Sequence, residues 1–193
     1  MEVAVIASAL SIQDVREHPA EKKQQASMMH RFFIDPLSDF ITLLNIWNRY
    51  HDTWKKVKTR NRMRRFCKEN YLSYKRIKEW RDIHSQILSV LKENNQKKYG
   101  DQANYKKSNY KKSGSLKQAD SKKDLKFHPQ YISIHKAVLS GFLSNIACKK
   151  EKNIFLAARQ KEVMLFPGSG IFNKSGKWIV AAEVVETSRL FAR

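Results

Sequence analysis

The chain has 193 residues, and its 38 lysines and arginines against 18 aspartates and glutamates give a formal charge of +20. Hydrophobic residues make up 41% of the chain, which provides enough apolar surface for a folded core and excludes wholesale disorder. Two cysteines are too few for a disulfide framework, so we expect a reducing compartment, by default the cytoplasm. No stretch approaches the roughly 20 apolar residues that cross a bilayer, so we expect no membrane partner. A polyanion such as nucleic acid suits this charge.

Helical periodicity runs through the first half of the chain. Apolar residues from Val3 to Leu10 predict a buried helix, and a weaker pattern predicts a second helix from Ala20 to Ile34. Between Ser38 and Trp54 apolar residues recur at spacings of three and four, and Ser38 is placed to cap the first turn. After a basic joint from Lys55 to Arg65, the same spacing predicts a further helix from Tyr71 to Leu91.

The second half changes character twice. Residues 93–127 are rich in lysine and poor in apolar side chains, which predicts a disordered insertion after a first helical part at 1–92. Residues 128–150 predict the last helix. From 151 to 193 the apolar period shortens towards two between glycine-containing turns, which predicts about three short strands. The predicted fold class is therefore α+β, a helical bundle followed by a truncated antiparallel β segment.

Enzyme motifs are not found in this sequence. The glycines near Lys177 invite a phosphate-loop interpretation, but Ile171 occupies the position of the first glycine and Trp178 that of the Ser/Thr. The histidines have no metal-binding spacing, and neither cysteine has a neighbour that marks a nucleophile. We therefore predict no catalytic residue and no metal site, and we interpret the glycines as a hairpin turn.

The positive signal is a basic cluster from Lys55 to Arg81, within the predicted helices. Arginines close to Tyr71, Tyr74 and Trp80 form a composition that binds phosphates and offers rings for stacking. A solvated helical face whose aromatic residues are merely core is the alternative, and it stays open at this point. The lysine-rich insertion would add affinity without specificity.

Five blocks of this sequence resemble the C-terminal accessory region of DEAH-box RNA helicases, of the bacterial HrpA type. They follow the order of that family and leave out only the lysine-rich insertion. The blocks are ALSIQDVREHPAEKKQQA (9–26), DPLSDFITLLNIW (35–47), FCKENYLSYKRIKEW (66–80), IHKAVLSGFLSNIA (134–147) and FPGSGIFNKSGKWIVAAEVVETSRLFAR (166–193). The resemblance implies a helicase-associated, ratchet-like helical domain at 1–92 and 128–150, and a partial OB-fold at 151–193.

In that family the accessory region packs on two RecA-like motor domains, which bind ATP and magnesium, and RNA runs between motor and accessory domains. This sequence has no Walker A motif and no DEAH box, so we expect no cofactor in this chain and no activity of the chain alone. The resemblance also implies that the family's winged-helix segment and the last OB-fold strands are missing. The chain is therefore expected to be a piece of a helicase.

The resemblance places the expected RNA contacts in two groups. The first group lies in the helical domain and comprises Arg60, Arg62, Arg64, Arg65, Lys75, Arg76 and Arg81. The second lies in the β segment and comprises Lys174, Lys177, Ser188 and Arg189. We expect Trp47, Trp80 and Trp178 to belong to the core.

Two functions follow from these expectations. The first is a non-catalytic accessory region that holds single-stranded RNA by its phosphates for motor domains, in cis or on a separate chain. The alternative is a stand-alone basic nucleic-acid-binding protein without a motor partner. A binder of anionic membrane surfaces ranks last, because the apolar stripes of these helices suit mutual packing.

Overall fold

The computed structural model describes residues 1–100 and 130–193, with the backbone alone described for 95–100. Within these ranges the chain forms six α-helices followed by six short β-strands. The helices are α1 (Glu2–Leu10), α2 (Lys23–His30), α3 (Asp39–Val57), α4 (Arg60–Glu69), α5 (Tyr74–Gly100) and α6 (Tyr131–Gly141). The strands are β1 (Ile146–Glu151), β2 (Ile154–Leu156), β3 (Glu162–Leu165), β4 (Trp178–Val180), β5 (Val184–Glu186) and β6 (Leu190–Ala192). Over the described ranges, no helix combines the length and the apolar character needed to cross a bilayer.

The helices enclose one apolar core, with α1 packed against α3 and α5. Trp80 on α5 is 1% exposed, and its indole N–H donates to the carbonyl oxygen of Val5 at 2.9 Å and to the hydroxyl of Ser8 at 3.0 Å. The Ser8 hydroxyl donates in turn to the carbonyl oxygen of Ala4 at 2.8 Å. Because these buried polar atoms have partners, α1 can be buried along most of its length. The predicted buried helix at the start of the chain is confirmed.

The start of α3 is fixed by its cap, as the sequence predicted. The hydroxyl oxygen of Ser38 accepts a hydrogen bond from the amide of Ile41 at 3.4 Å. The same hydroxyl lies 2.7 Å from Nε2 of His135 on α6. The cap therefore also holds α6 against the first turn of α3. At its other end α3 ends at Val57, and the next residue, Lys58, has a left-handed φ of 49°. After Thr59, α4 begins at Arg60.

In the first hundred residues, the structure differs from the sequence prediction at the basic joint and at the second helix. The expected basic joint from Lys55 to Arg65 is helical over most of its length, because α3 continues to Val57 and α4 begins at Arg60. The weaker second helix is shorter than predicted, covering Lys23–His30 after a short 3-10 turn. Arginine and lysine are good helix formers, so a run of them need not interrupt a helix.

The predicted insertion and the helix after it also differ from the structure. The α5 backbone continues to Gly100, so residues 93–100 of the predicted insertion are helical, and 101–127 lie outside the described residues. The last helix, expected over 128–150, ends at Gly141, and β1 begins at Ile146. A short apolar run such as Ile146, Ala147 and Cys148 fits a helix and a strand equally well by spacing alone.

The strands form one mixed sheet in the order β4-β1-β2-β3-β6-β5. All neighbours are antiparallel except β3 and β6, which run parallel through Met164–Phe191 and Leu165–Ala192. The prediction of about three antiparallel strands was therefore too low, because strands of three residues are too short for alternation to show. One face of the sheet buries a second apolar cluster, formed by Ala147, Phe155, Val163, Leu165, Ile179, Ala181 and Ala192.

The helices and the sheet are joined by polar contacts at the first turn of α3. The Asp39 carboxylate accepts hydrogen bonds from the hydroxyl of Ser169 and from the amide of Gly170, the latter at 2.8 Å. A Cβ atom on Gly170 would lie 2.5 Å from the backbone oxygen of Asp35, so only glycine fits this approach. The guanidinium of Arg193 lies 3.6 Å from the Asp14 carboxylate. The loop between β3 and β4 is thus held against the helices.

Candidate nucleic-acid interface

The first group of predicted contact residues begins on α4, where one side of the helix is buried and the other is basic. Met63 and Cys67 are 0% and 1% exposed and face the core. Burial, with a smaller contribution from the charge of Glu17, raises the pKa of the Cys67 thiol to about 12. This thiol therefore stays protonated and is not a nucleophile. The remaining positions of α4 expose four arginines, which are Arg60, Arg62, Arg64 and Arg65.

The packing of α4 against α5 brings residues of the two helices together. The guanidinium carbon of Arg64 lies 5.6 Å from the centre of the Tyr74 ring, in a cation–π contact. Lys75, the next residue along α5, is exposed. This contact restrains the Arg64 side chain while its N–H groups stay available for a phosphate. We call the exposed set of Arg60, Arg62, Arg64, Arg65 and Lys75 the α4–α5 basic surface.

The other two residues of the first group are half-buried and contact the protein itself. Arg76 donates from Nη1 to the carbonyl oxygen of Asp14 at 2.8 Å. The Arg81 guanidinium carbon lies 5.6 Å from the ring of Trp54. Both arginines therefore hold α5 against neighbouring segments. Within the basic surface, Arg65 pairs with Glu69 on the next turn at 2.8 Å, which offsets part of its charge.

The second predicted group does not occupy one place in the sheet. Lys174 and Lys177 are exposed in the loop that leads to β4, and Ser188 and Arg189 are exposed in the turn between β5 and β6. The sheet order puts β4 and β5 at opposite edges. The structure therefore presents these four residues from two separate loops. Their predicted contact with RNA stays a prediction.

Three lysines that the sequence analysis did not select lie beside Lys177. Together with Lys177 and Glu151 they line a shallow cavity of about 440 Å³ at the turn between β1 and β2, and we call the set of Lys149, Lys150, Lys152 and Lys177 the lysine pocket. The ammonium of Lys149 donates to the carbonyl oxygen of Ser175 at 3.0 Å, and Lys150 pairs with Glu162. The sequence feature that could have revealed this pocket is Lys-Lys-Glu-Lys at 149–152. The prediction had divided this run between the last helix and the β segment.

The tryptophans divide between core and surface. Trp80 is buried and Trp47 is half-buried against the same core, as expected. Trp178 on β4 is instead 63% exposed, so its expected place in the core was wrong. Alternation along β4 sends the following residue, Ile179, into the core and leaves Trp178 on the opposite face.

Comparisons with known proteins agree with this arrangement of helices and sheet. Residues 134–193 match a family model described as an oligonucleotide/oligosaccharide-binding (OB)-fold, and the match begins within α6. Over all 193 residues the chain is 39% identical to the ATP-dependent RNA helicase HrpA of Escherichia coli (strain K12). The resemblance to the accessory region of HrpA-type DEAH-box helicases is confirmed. The fold class of this HrpA-type region, helices followed by an OB-like sheet, is confirmed with it.

Further relatives extend the match to other helicases. The HrpA-type region is 39% identical over 193 residues to the ATP-dependent RNA helicase HrpA homolog of Haemophilus influenzae. It is 23% identical over 190 residues, 97% of this chain, to the pre-mRNA-splicing factor ATP-dependent RNA helicase prp22 of Schizosaccharomyces pombe. The chain spans 13% of the length of each of these three relatives.

Proposed function

We propose that this HrpA-type region holds single-stranded RNA by its phosphates for RecA-like motor domains, without catalysing a reaction itself. The observation that carries the proposal is the α4–α5 basic surface, whose exposed cations stand on packed helices. The relatives are named as ATP-dependent RNA helicases, which supports RNA as the polyanion. In this proposal ATP and magnesium bind to the motor domains, and this chain binds the phosphates of the RNA strand.

The geometry of the basic surface suits contact with phosphates more than recognition of bases. A guanidinium presents a planar fork of donors that matches two phosphate oxygens, and the Tyr74 ring restrains that of Arg64. Lys75 adds a charge in the first turn of α5, where the helix dipole also favours an anion. Cations mounted on helices exchange phosphate partners without regard to sequence, which is what a strand moving past this surface would require.

The proposal predicts a specific change in the salt dependence of binding. The double variant Arg64→Ala, Lys75→Ala should weaken binding of single-stranded RNA to a similar degree for sequences of different composition. The slope of log affinity against log salt should become shallower by about 0.7 for each phosphate that the variant no longer neutralises. Fluorescence anisotropy with labelled oligoribonucleotides over a salt series measures both quantities.

A charge-matched control separates this site from the general charge of the chain. Lys22 and Lys23 are exposed at the start of α2, and replacing both by alanine removes the same two charges elsewhere. This control variant should bind nearly as tightly as the unchanged chain. Equal decreases in affinity for the two double variants would contradict a defined site on α4 and α5.

The motor partner is tested separately. The chain, mixed with an HrpA-type motor core that lacks this region, should bind the core and restore RNA-stimulated unwinding. Binding of RNA without any association with the core would favour the alternative, a stand-alone nucleic-acid-binding protein. A variant with the α4–α5 basic surface neutralised should still associate with the core but restore less unwinding.

A further inference from the structure

The hydrogen bonds between β1 and β4 show which backbone groups of β4 face the other way. The amide of Lys149 donates to the carbonyl oxygen of Lys177 at 2.8 Å, and the amide of Ala181 donates to that of Asn145 at 3.1 Å. In an antiparallel pair, bonded and non-bonded positions alternate along each strand. The register places Ile179 midway between these two bonds, so Ile179 is the bonded residue within β4. The residues on either side of it direct their N–H and C=O groups away from β1.

Those two residues, Trp178 and Val180, lie at an edge that the rest of the sheet covers only in part. β4 is the first strand in the sheet order and pairs with β1 alone. On its outer side β6 reaches only as far as the amides of Ala182 and Glu183, which donate to the carbonyl oxygen of Arg193 at 2.7 and 3.2 Å. Among the described residues, nothing pairs with the outward backbone groups of Trp178 and Val180. An open edge of this kind is a template for a further strand.

A large apolar groove runs beside this edge. It is a cavity of about 1650 Å³ that is lined by β4 and by the helices α1 and α6. Its lining includes the exposed side chains of Val3 and Leu10 on α1, and those of Ile132 and Leu139 on α6. Residues spaced in this way, two turns apart, lie on one face of a helix, so each helix offers a short apolar stripe. An extended chain beside β4 would place every second side chain against these stripes.

The charges around the groove favour an acidic occupant. The acidic residues that line it, Asp14, Asp39 and Glu183, all have partners within this chain. Lys136 on α6 and Lys174 in the loop before β4 also line it and are exposed, and no ion pair within the described ranges involves either of them. Carboxylates on a bound segment would therefore be attracted to these two ammonium groups.

We propose that the open edge of β4 and this groove bind an extended segment of a partner protein, in which apolar residues alternate with acidic ones. The segment adds a strand to the sheet, with its backbone bonded to Trp178 and Val180. In this mode of recognition the main-chain hydrogen bonds supply affinity, and the apolar stripes select for the alternation of side chains. The interaction does not depend on RNA binding at the α4–α5 basic surface.

A synthetic peptide tests the pairing of backbones. The probe is a fluorescein-labelled peptide of about eight residues, within the usual length of a strand, in which valine alternates with glutamate. Two controls carry N-methyl groups, one on all valines and the other on all glutamates. Because each set of amides lies along one edge of an extended peptide, at least one control should bind about five-fold more weakly or worse. Fluorescence anisotropy with the full chain measures the three affinities.

Proline substitutions test the same contact from the side of the protein. Val180→Pro removes an outward N–H and no hydrogen bond to β1, so the edge strand should tolerate it. It should lower the affinity for the peptide about five-fold or more and leave RNA binding unchanged. The matched control is Val184→Pro at the opposite edge of the sheet, where the hydrogen bonds between Glu183 and Arg193 direct the amide of Val184 away from β6. This control should bind the peptide like the unchanged chain.

A charge variant covers the case in which Val180→Pro does not fold, as judged by circular dichroism. Lys136→Glu lies on the exposed side of α6 and should weaken peptide binding at low salt about two-fold or more, with a smaller effect at high salt. A normal affinity of this variant at low salt would contradict an acidic occupant.

Other results would overturn the proposal outright. These are equal affinity of Val180→Pro and the unchanged chain, equal binding of all three peptides, and no binding of the valine–glutamate peptide. Displacement of this peptide by oligouridine would assign the groove to RNA instead. A dimer of the chain that Val180→Pro dissociates would assign the edge of β4 to a second copy. None of these results bears on the proposed binding of RNA at the α4–α5 basic surface, which the Arg64→Ala, Lys75→Ala variant tests separately.

Discussion

His30 shows how one buried polar side chain connects distant parts of the helical region. The residue is 2% exposed, and its Nε2 lies 3.0 Å from the carbonyl oxygen of Tyr71, just before α5. Because a carbonyl only accepts, Nε2 carries the hydrogen, and in the neutral ring Nδ1 accepts from Nε2 of His18 at 3.3 Å. Burial lowers the pKa of His30 below its ordinary 6.5, with the charge of His18 adding to this effect. His30 is therefore a neutral link between α2 and the start of α5.

This link predicts a dependence of stability on pH. The unfolded chain takes up a proton at His30 before the folded chain does, so the free energy of unfolding should decrease as the pH falls through about 6.5. His30→Gln should be less stable at neutral pH but lose less stability between about pH 7 and pH 5. Urea unfolding followed by circular dichroism over this range measures both effects.

The decrease should become shallower in His30→Gln without disappearing. Burial also lowers the pKa of His51 and of His84, so these two side chains contribute to the same trend. A slope identical to that of the unchanged chain would show that His30 is not protonated on unfolding in this range.

Single residues differ in how far the sequence could predict them. The cap at Ser38 was predictable because it depends on atoms three residues away. The contact between Arg64 and Tyr74 was not, since it depends on how α4 packs on α5. The exposure of Trp178 depends on the position of its strand at the sheet edge, which no local pattern reveals.

At the scale of elements, the first turn of α3 is the joint between the helices and the sheet. Both oxygens of Asp39 accept hydrogen bonds from the loop between β3 and β4. Asp39→Ala should lower the free energy of unfolding by about 1–3 kcal/mol, because the amide of Gly170 and the hydroxyl of Ser169 then have no acceptor there. Asp39→Asn keeps an acceptor for the Gly170 amide and should cost less. Urea unfolding of the two variants makes the comparison, and equal decreases would contradict this role of the amide contact.

Elements were predictable where their periodic pattern was long. The pattern from Ser38 to Trp54 gave α3 almost in full, with 19 helical residues in the structure. The strands of three residues, and the parallel pairing of β3 with β6, could not be predicted, because pairing joins segments far apart in sequence. For the same reason the lysine pocket was missed, since it forms only when the turn after β1 meets the loop before β4.

At the scale of the molecule, the formal charge of the chain is +20, and many of its cations lie on folded elements in the described ranges, as the composition required. The described residues place cations on two kinds of scaffold: the packed helices α4 and α5, and the turns at the end of the sheet. The presence of a basic surface was predictable from the sequence. How the cations divide between helices and sheet depends on tertiary packing, which the sequence does not show. The residues of the second predicted group therefore lie in two separate loops, one before β4 and one between β5 and β6.

The hydrogen bonds of Asp39 limit how far the helices and the sheet can move relative to each other. Because the carboxylate fixes the loop before β4 to α3, the sheet cannot swing freely about the helices. If a polymer binds one set of cations as proposed, it would meet the other set at a high effective concentration, as with two rigidly linked binding modules. Two weak binding sites would in this way give a high overall affinity, while each single contact would still dissociate and re-form on its own.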